Sequence, residues 1–475
     1  MAEVLTPDIC VIGGGSGGLT VAAAAAAFGV EVVLVEKGKM GGDCLNYGCV
    51  PSKALIAAAK QADTLRHGAA FGIEDVEPKV NFGAVNRHVH DVIAAIAPND
   101  SVERFTALGV RVIQSAARFV DKRTVEAGGQ TIRARRFVIA TGSSPLVPPI
   151  PGLDTVDYLT NETLFEQTRK PGHLIIIGGG PIGMEMAQAH RRLGSEVTVV
   201  EAFKALGKDD PELAAVVLKR MRAEGVTIRE GAKVTAVEPR GKTGVRVHVE
   251  TEAGVDAIDG THLLVAVGRQ VNVAGLDLEN AGITYDRRGI KVGADLRTTN
   301  RRAYAIGDVA GGLQFTHVAG YHASTILRPL LFRLPAKVNE AIIPWATYTD
   351  PELAHVGLGE EAARKAHGAI RVLRWPYAEN DRAVAGRKTE GLIKMVTDAK
   401  GRILGVSIAG ANAGEMINIW ALALSKKMTV RDAAGFIPPY PTMSEIGKRA
   451  AVSYYGDTTR NPWVRRLIGF LRKFG

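Results

Sequence analysis

One pattern occurs twice and narrows the choice of fold more than any other feature. Asp8-Ile9-Cys10-Val11-Ile12 runs into Gly13-Gly14-Gly15-Ser16-Gly17-Gly18, an alanine-rich helical stretch follows from Leu19 to Phe28, and Glu31-Val32-Val33-Leu34-Val35-Glu36 reads as a second strand. In the same way, His173-Leu174-Ile175-Ile176-Ile177 leads into Gly178-Gly179-Gly180-Pro181-Ile182-Gly183, a helix through Leu193, and a strand from Val197 that ends at Glu201. Strand, glycine turn, helix and strand make the unit of a dinucleotide-binding α/β domain. The first two glycines of the motif allow a tight turn and the approach of a pyrophosphate to backbone N–H groups; the third lets the helix pack on the strand. Glu36 and Glu201 each lie 18 residues past the last glycine of their turn, where a carboxylate accepts hydrogen bonds from ribose hydroxyls. A glycine-rich turn alone also serves packing, so the flanking strands and the acid carry the assignment. Gly13, Gly15, Gly18 and Glu36 are thus assigned to one dinucleotide, and Gly178, Gly180, Gly183 and Glu201 to a different one. Glu201 favours NADH because it would repel a 2′-phosphate; Lys204 softens that repulsion and keeps NADPH open.

A chain of 475 residues with 46% apolar and 23% charged residues has material for about three domains and excludes disorder. The charge of +10 permits anionic partners. Neither Arg135-Arg136 nor Arg301-Arg302 has the interleaved aromatics of a nucleic-acid stripe, so no nucleic-acid partner is expected. Three cysteines do not make a secreted disulfide framework, and Met1 to Asp8 carries no secretory signal. No apolar run reaches the roughly 18 residues of a spanning helix. A cytoplasmic chain is expected, with peripheral contact at the inner face of the membrane left open.

Between the two glycine turns lies Gly41-Gly42-Asp43-Cys44-Leu45-Asn46-Tyr47-Gly48-Cys49-Val50-Pro51-Ser52-Lys53, followed by a helical run from Ala54 to Lys60. Two thiols with four residues between them can close a small disulfide ring, and the N-terminal end of a helix favours the reactive thiolate. A pair of buried cysteines and a zinc half-site are the alternatives. Zinc is disfavoured, because Cys10 sits inside the first strand and no histidine has suitable spacing to the pair. His88 and His90, two apart on a helix-like stretch, are also wrongly spaced for a helical metal pair, and no resident metal is assigned.

The ordered set closely resembles the flavoprotein pyridine nucleotide-disulfide reductases, which include dihydrolipoamide dehydrogenase, glutathione reductase and mercuric reductase. Further matches are Ala140-Thr141-Gly142, Ala266-Val267-Gly268-Arg269 and Tyr304-Ala305-Ile306-Gly307-Asp308. The resemblance implies an α/β fold with two Rossmann-like domains, for FAD and NAD(P)H, and a C-terminal α+β domain that forms a homodimer. The implied boundaries are 1–150 and 271–340 for the two parts of the FAD domain, 151–270 for the NAD(P)H domain, 341–455 for the interface domain and 456–475 for a basic tail. It implies that FAD is held by Gly13, Gly15, Gly18, Glu36, Lys53, Thr141, Gly142, Asp308 and His317, with His317 in a supporting role. NADH is assigned to Gly178, Gly180, Gly183, Glu201, Gly268 and Arg269. Hydride would pass from NADH through FAD to a Cys44–Cys49 redox-active disulfide, with Cys49 near the flavin and Cys44 as the exchanging thiol. Lys53 and Glu185 match the family's ion pair beside the flavin ring, where a buried lysine needs a carboxylate partner.

Departures from the family pattern bear on the acceptor. Members that act on disulfides or dithiols place His-Pro-Thr before a Ser-Glu pair, so that the partner subunit supplies a histidine base oriented by the glutamate. This chain reads Pro438-Pro439-Tyr440-Pro441-Thr442-Met443-Ser444-Glu445. Glu445 is kept, but Tyr440 stands where the base should be, and a phenol titrates near 10 against about 6.5 for imidazole. The tyrosine resembles mercuric reductases, in which a soft metal ion moves between thiolates. Those enzymes usually end in a cysteine pair, whereas residues 468–475 hold no thiol, and no additional Cys-x-x-Cys precedes the first strand. The expected activity is therefore a mercuric reductase-like NADH oxidoreductase that reduces a thiol-bound metal ion such as Hg(II), a disulfide or another oxidant. The alternatives are a dihydrolipoamide dehydrogenase of a 2-oxoacid complex and a membrane-docked redox-sensing module with little turnover.

In the tail, Trp463, Val464, Leu467, Ile468, Leu471 and Phe474 share one helical face while Arg465, Arg466, Arg472 and Lys473 project elsewhere, with Arg460 nearby. Residues 460–475 could lie in an anionic membrane interface, or dock on the enzyme's own body or its dimer mate.

Overall fold

The computed structural model describes residues 3–474; Met1, Ala2 and Gly475, which fall in the first assigned domain and the tail, lie outside them. The chain forms two compact units. One holds the residues up to Ala202 together with Gly231–Val338, and the other holds Phe203–Glu230 with the residues from Asn339 onward.

The first unit is built on a five-stranded parallel sheet in the order Ala303–Ala305, Arg136–Ile139, Ile9–Ile12, Val32–Glu36, Val110–Gln114. Its inner strands read as nearly continuous apolar runs because both faces are covered, while the edge strand exposes Arg111 and Gln114, and the period of two sends alternate residues to opposite cores. Ile9, Val11, Val32, Leu34 and Val138 pack with Leu19, Val21 and Ala22 of the helix Ser16–Ala27. Cys10, Ile12, Val33, Val35 and Phe137 pack on the other side with Phe119, Val125 and Ile132. A second parallel set pairs His173–Ile177 with Glu196–Val200 on one side and His262–Val265 on the other. The antiparallel strands Lys233–Arg240, Gly244–Thr251 and Gly254–Gly260 bury Val237, Val247 and Val249 in the same core as Ile175 and Ile177.

The second unit centres on a five-stranded antiparallel sheet, in the order Pro344–Thr347, Glu352–Gly357, Ile403–Gly410, Leu392–Asp398, Ile370–Pro376. The helix Ala413–Ser425 lays Met416, Ile417, Trp420 and Ala423 into its core. Gly447 is fitted against that helix so closely that a Cβ would meet the Trp420 ring at 2.2 Å.

The unit boundary departs from the sequence-based domains at 203–230, which the sequence places with the nicotinamide domain. The helix Pro211–Ala223 and its approach are tied to the sheet of the second unit by charge. Lys394, with only 6% of its side chain exposed, bonds Asp210 at 2.7 Å and lies 3.2 Å from Glu212 and 2.9 Å from Glu360. Arg374 closes on Glu212 at 2.8 Å, and the Trp345 indole donates to Asp209. Among the described residues, no helix is long and apolar enough to cross a membrane.

Candidate active site

Both glycine turns are built alike. Gly13 and Gly178 have φ of +113° and +111°, conformations that suit glycine. A Cβ on Gly18 would meet the Gly13 carbonyl oxygen at 1.9 Å, and one on Gly183 would meet that of Gly178 at 2.0 Å. The third glycine of each motif is therefore set by helix–strand contact. Gly15 and Gly180 stand at the N-caps of the helices Ser16–Ala27 and Pro181–Arg192, neither of which has a side-chain cap. Space in front of these ends is open: a Cβ on Gly180 would meet nothing within 4 Å, and one on Gly15 only Gly42 Cα at 3.9 Å. Glu36 accepts from Gly14 N at 2.5 Å and Gly38 N at 2.6 Å, and Glu201 accepts from Gly179 N at 2.7 Å. Open helix N-termini beside acids fixed at strand ends fit two dinucleotides, with pyrophosphate at the helix ends and ribose at the acids.

The cysteine segment folds as a short helix Gly42–Asn46 and the helix Cys49–Leu65. Cys49 is thus the first helical residue, where backbone N–H groups and the helix dipole favour negative charge. The sequence starts this helix at Ala54, but Pro51 falls in the first turn, where its missing N–H costs little. Cys44 and Cys49 are free thiols, hydrogen-bonded to each other, and Cys49 Sγ lies 3.2 Å from Thr316 Oγ1. The Cys49 thiol is drawn down to about 6 by the bond from Cys44, by Thr316 and by the Lys53 ammonium, against the opposing effect of burial. Cys44 is pushed up by donating that bond, by burial, and by the charges of Cys49 and Asp43. The opposed directions make Cys44 the donor and Cys49 the acceptor of the bond between them. Cys10 lies apart, wholly buried in Ile9–Ile12 and pushed up to about 12 by desolvation.

Lys53, on the same helix as Cys49, donates to Glu185 Oε2 at 2.8 Å from the helix Pro181–Arg192; the Glu185 side chain is only 6% exposed. Asp308 accepts from Ser143 Oγ at 2.5 Å, and burial raises its carboxyl. Thr141 Oγ1 donates to Asn272 O at 2.7 Å, and Asn272 N donates to Gly142 O at 3.0 Å. Gly268, with φ of +140°, leads into the strand Arg269–Val271, which pairs with Ser143–Pro145. His317 stacks on Phe315 at 5.3 Å in the first turn of the helix Thr316–Leu331.

Arg269, assigned from the sequence to the nicotinamide nucleotide, is held by contacts within the chain. Its guanidinium donates to Ser143 Oγ and Ser143 O, each at 2.7 Å, and lies 3.2 Å from Asp43 and 3.9 Å from Asp308. It thereby joins the residue before Cys44 to the Asp308 site. Asn161 adds to this arrangement by donating to Asp43 and to Tyr47 O. Asp43, Ser143, Asn161, Asn272 and Thr316 were not singled out from the sequence. Thr316 carried one available signal, as it sits between Phe315 and His317 in a segment that matches the family.

In the second unit, Tyr440 is 71% exposed and donates its hydroxyl to Asp381 Oδ2 at 2.7 Å. That bond, with the Asp381 charge, raises the phenol above its ordinary value. Glu445 opens the helix Glu445–Ser453 and accepts from Arg449 at 2.9 Å. The segment between them is held by Asn380, which donates to Thr442 O.

Comparison with known proteins agrees with this construction. Residues 7–323 match the pyridine nucleotide-disulphide oxidoreductase family, and residues 343–451 match its dimerisation domain. The chain is 35% identical over 95% of its length to a mercuric reductase of Bacillus cereus, 72% of which is covered. It is 36% identical over 93% of its length to a dihydrolipoyl dehydrogenase of Thermus scotoductus, 95% of which is covered. A solved Cu(II) complex of the HOCl-induced flavoprotein disulfide reductase RclA from Escherichia coli superposes with a TM-score of 0.83 at 30% identity, covering 93% of this chain and 98% of that one. With two dinucleotide cradles, a cysteine pair at a helix start and a dimerisation domain, the chain belongs to the pyridine nucleotide-disulphide oxidoreductases, a family that uses FAD and NAD(P)H.

Proposed function

We propose that this enzyme oxidises NADH and reduces a thiolate-bound metal ion, the soft Hg(II) foremost and Cu(II) as a second candidate, at Cys44 and Cys49. The observation that carries this reading is Tyr440, a hydrogen-bond donor to Asp381 with its phenol raised, at the position where disulfide-acting members keep a base. A dithiol or disulfide acceptor needs a group that takes and returns protons near neutral pH, and a raised phenol is poorly matched to that work. A soft metal ion needs thiolate instead.

Cys49 supplies one thiolate at neutral pH, and Cys44 becomes the second by releasing its proton when the metal takes its place. Bound FAD supplies the two-electron relay between nicotinamide and sulfur. Lys53 holds a positive charge beside this chemistry and is itself oriented by Glu185. Gly178, Gly180, Gly183 and Glu201 bind NADH; Gly13, Gly15, Gly18, Glu36, Thr141, Gly142 and Asp308 bind FAD, with His317 in support. One NADH, oxidised to NAD⁺ with release of a proton, provides two electrons, which reduce one Hg(II) to Hg(0) or two Cu(II) to Cu(I). The enzyme acts as a homodimer through residues 343–451. The solved Cu(II) complex of RclA supports including copper among the candidate acceptors.

Glu445, which stands where the family keeps its orienting glutamate, favours a second reading as a dihydrolipoamide dehydrogenase. NADH consumption with thiol-complexed Hg(II), set beside oxidised lipoamide, separates the two. Metal-dependent turnover lost in Cys44→Ala, with little on lipoamide, is the expected result. Lipoamide turnover without metal turnover overturns the proposal.

A further inference from the structure

We propose that the helix Pro462–Leu471, with the turn that carries it to Phe474, docks on an anionic lipid surface. Asn461 caps this helix by accepting from Trp463 N, and Pro462 opens it. At about 100° per residue, Trp463, Leu467, Ile468, Phe470, Leu471 and Phe474 occupy one side, and Arg465, Arg466, Arg472 and Lys473 the other. Of the apolar side only Val464 is half-buried; Trp463 is 74% and Phe474 73% exposed, and Leu467, Ile468, Phe470 and Leu471 are each more than half exposed. Phe470 and Phe474 meet edge to face at 5.0 Å and Arg466 lies over the Trp463 ring, so these side chains form one ridge with cations at its flank.

Charge selects what covers the ridge. From Thr458 to Gly475 the sequence holds five cations and no acid. Symmetric pairing with the same helix of a second copy would bring like charges together. An anionic bilayer offers acyl chains to the ridge and headgroups to the cations. Ten helical residues span about 15 Å, half the hydrocarbon thickness, so the helix lies in the interface plane. This docking is independent of which acceptor the enzyme reduces.

The test is cosedimentation of the full-length, FAD-loaded protein with vesicles of phosphatidylglycerol and phosphatidylcholine, against phosphatidylcholine alone. Binding is expected only to the anionic vesicles, weakening with salt. Each cation near such a surface strengthens binding roughly fivefold, so Arg466→Gln with Arg472→Gln weakens it roughly 25-fold. Leu467→Asp with Leu471→Asp abolishes it, and NADH oxidation in solution stays unchanged in both double variants. Failure of the wild type to bind anionic vesicles, or unchanged binding by the leucine variant, overturns the proposal. So does dissociation of the homodimer by the leucine variant, read by light scattering, since the ridge would then belong to a second copy. Where the leucine variant loses flavin through misfolding, the arginine variant decides.

Discussion

Which cysteine keeps the proton follows first from the bond between the two thiols and then from Lys53, which lowers Cys49, while Thr316 lowers both. Thr316 comes from a helix 267 residues downstream of Cys49, and Lys53 from one turn along its own helix. The sequence therefore shows two thiols at a helix start but not the hydroxyl that lowers them both, because Thr316 reaches the pair only through the fold. The lowered Cys49 value has a measurable consequence. Thiolate absorbance of the reduced enzyme should rise through a step near pH 6 that is missing in Cys49→Ser, and Thr316→Ala should move the step upward. A first step near the ordinary thiol value of about 8.5 would contradict the account. A depressed thiol favours the folded state most above the unfolded value of about 8.5, and this contribution is lost as pH falls through about 6. Arg269 makes the same point in reverse: its motif was visible, yet its contacts with Ser143 and Asp43 depend on the pairing of Arg269–Val271 with Ser143–Pro145.

At the scale of elements, the repeated strand–turn–helix units were legible because the backbone itself demands their glycines. The helix boundaries were less so, as the start at Cys49 shows. Gly183 separates turn geometry from general stability. Gly183→Ala drives a methyl into the Gly178 carbonyl, so the helix Pro181–Arg192 must shift from its strand. We expect a raised KM for NADH and about 1–3 kcal/mol of lost stability, by analogy with overpacked cores. Flavin content should be retained, because the Gly13–Gly18 turn is untouched. Steady-state kinetics beside flavin absorbance checks this, and an unchanged KM would refute the role given to this turn.

At the scale of the whole molecule, the two parallel sets and the antiparallel sheet follow the expected fold class, while the unit boundary at 203–230 does not follow from sequence. Hydrophobic periodicity reports which face of the helix Pro211–Ala223 is apolar. It does not report that Asp210 and Glu212 meet Lys394, which lies 184 residues from Asp210. Lys394→Met leaves these carboxylates and Glu360 without their ammonium and should cost about 3 kcal/mol near neutral pH. Glu212 is held below the ordinary carboxylate range by Arg374 and Lys394, and Glu360 by Lys394. Stability from such depressed carboxyls is present above their ordinary values and is lost as pH falls through the folded ones. Denaturation midpoints of wild type and Lys394→Met should therefore draw together as pH falls below the ordinary carboxylate range, and a gap that does not narrow with falling pH would contradict this reading.

On the function proposed above, Tyr440 directs the enzyme away from proton-coupled disulfide acceptors and toward soft metals. NADH oxidation by Tyr440→His, measured beside wild type on oxidised lipoamide and on thiol-complexed Hg(II), tests it most directly. An imidazole titrating near 6.5 restores a base at neutral pH, so lipoamide turnover should rise by up to about 100-fold while Hg(II) turnover stays within about twofold. Lipoamide turnover already high in the wild type and unchanged by the substitution would contradict the account.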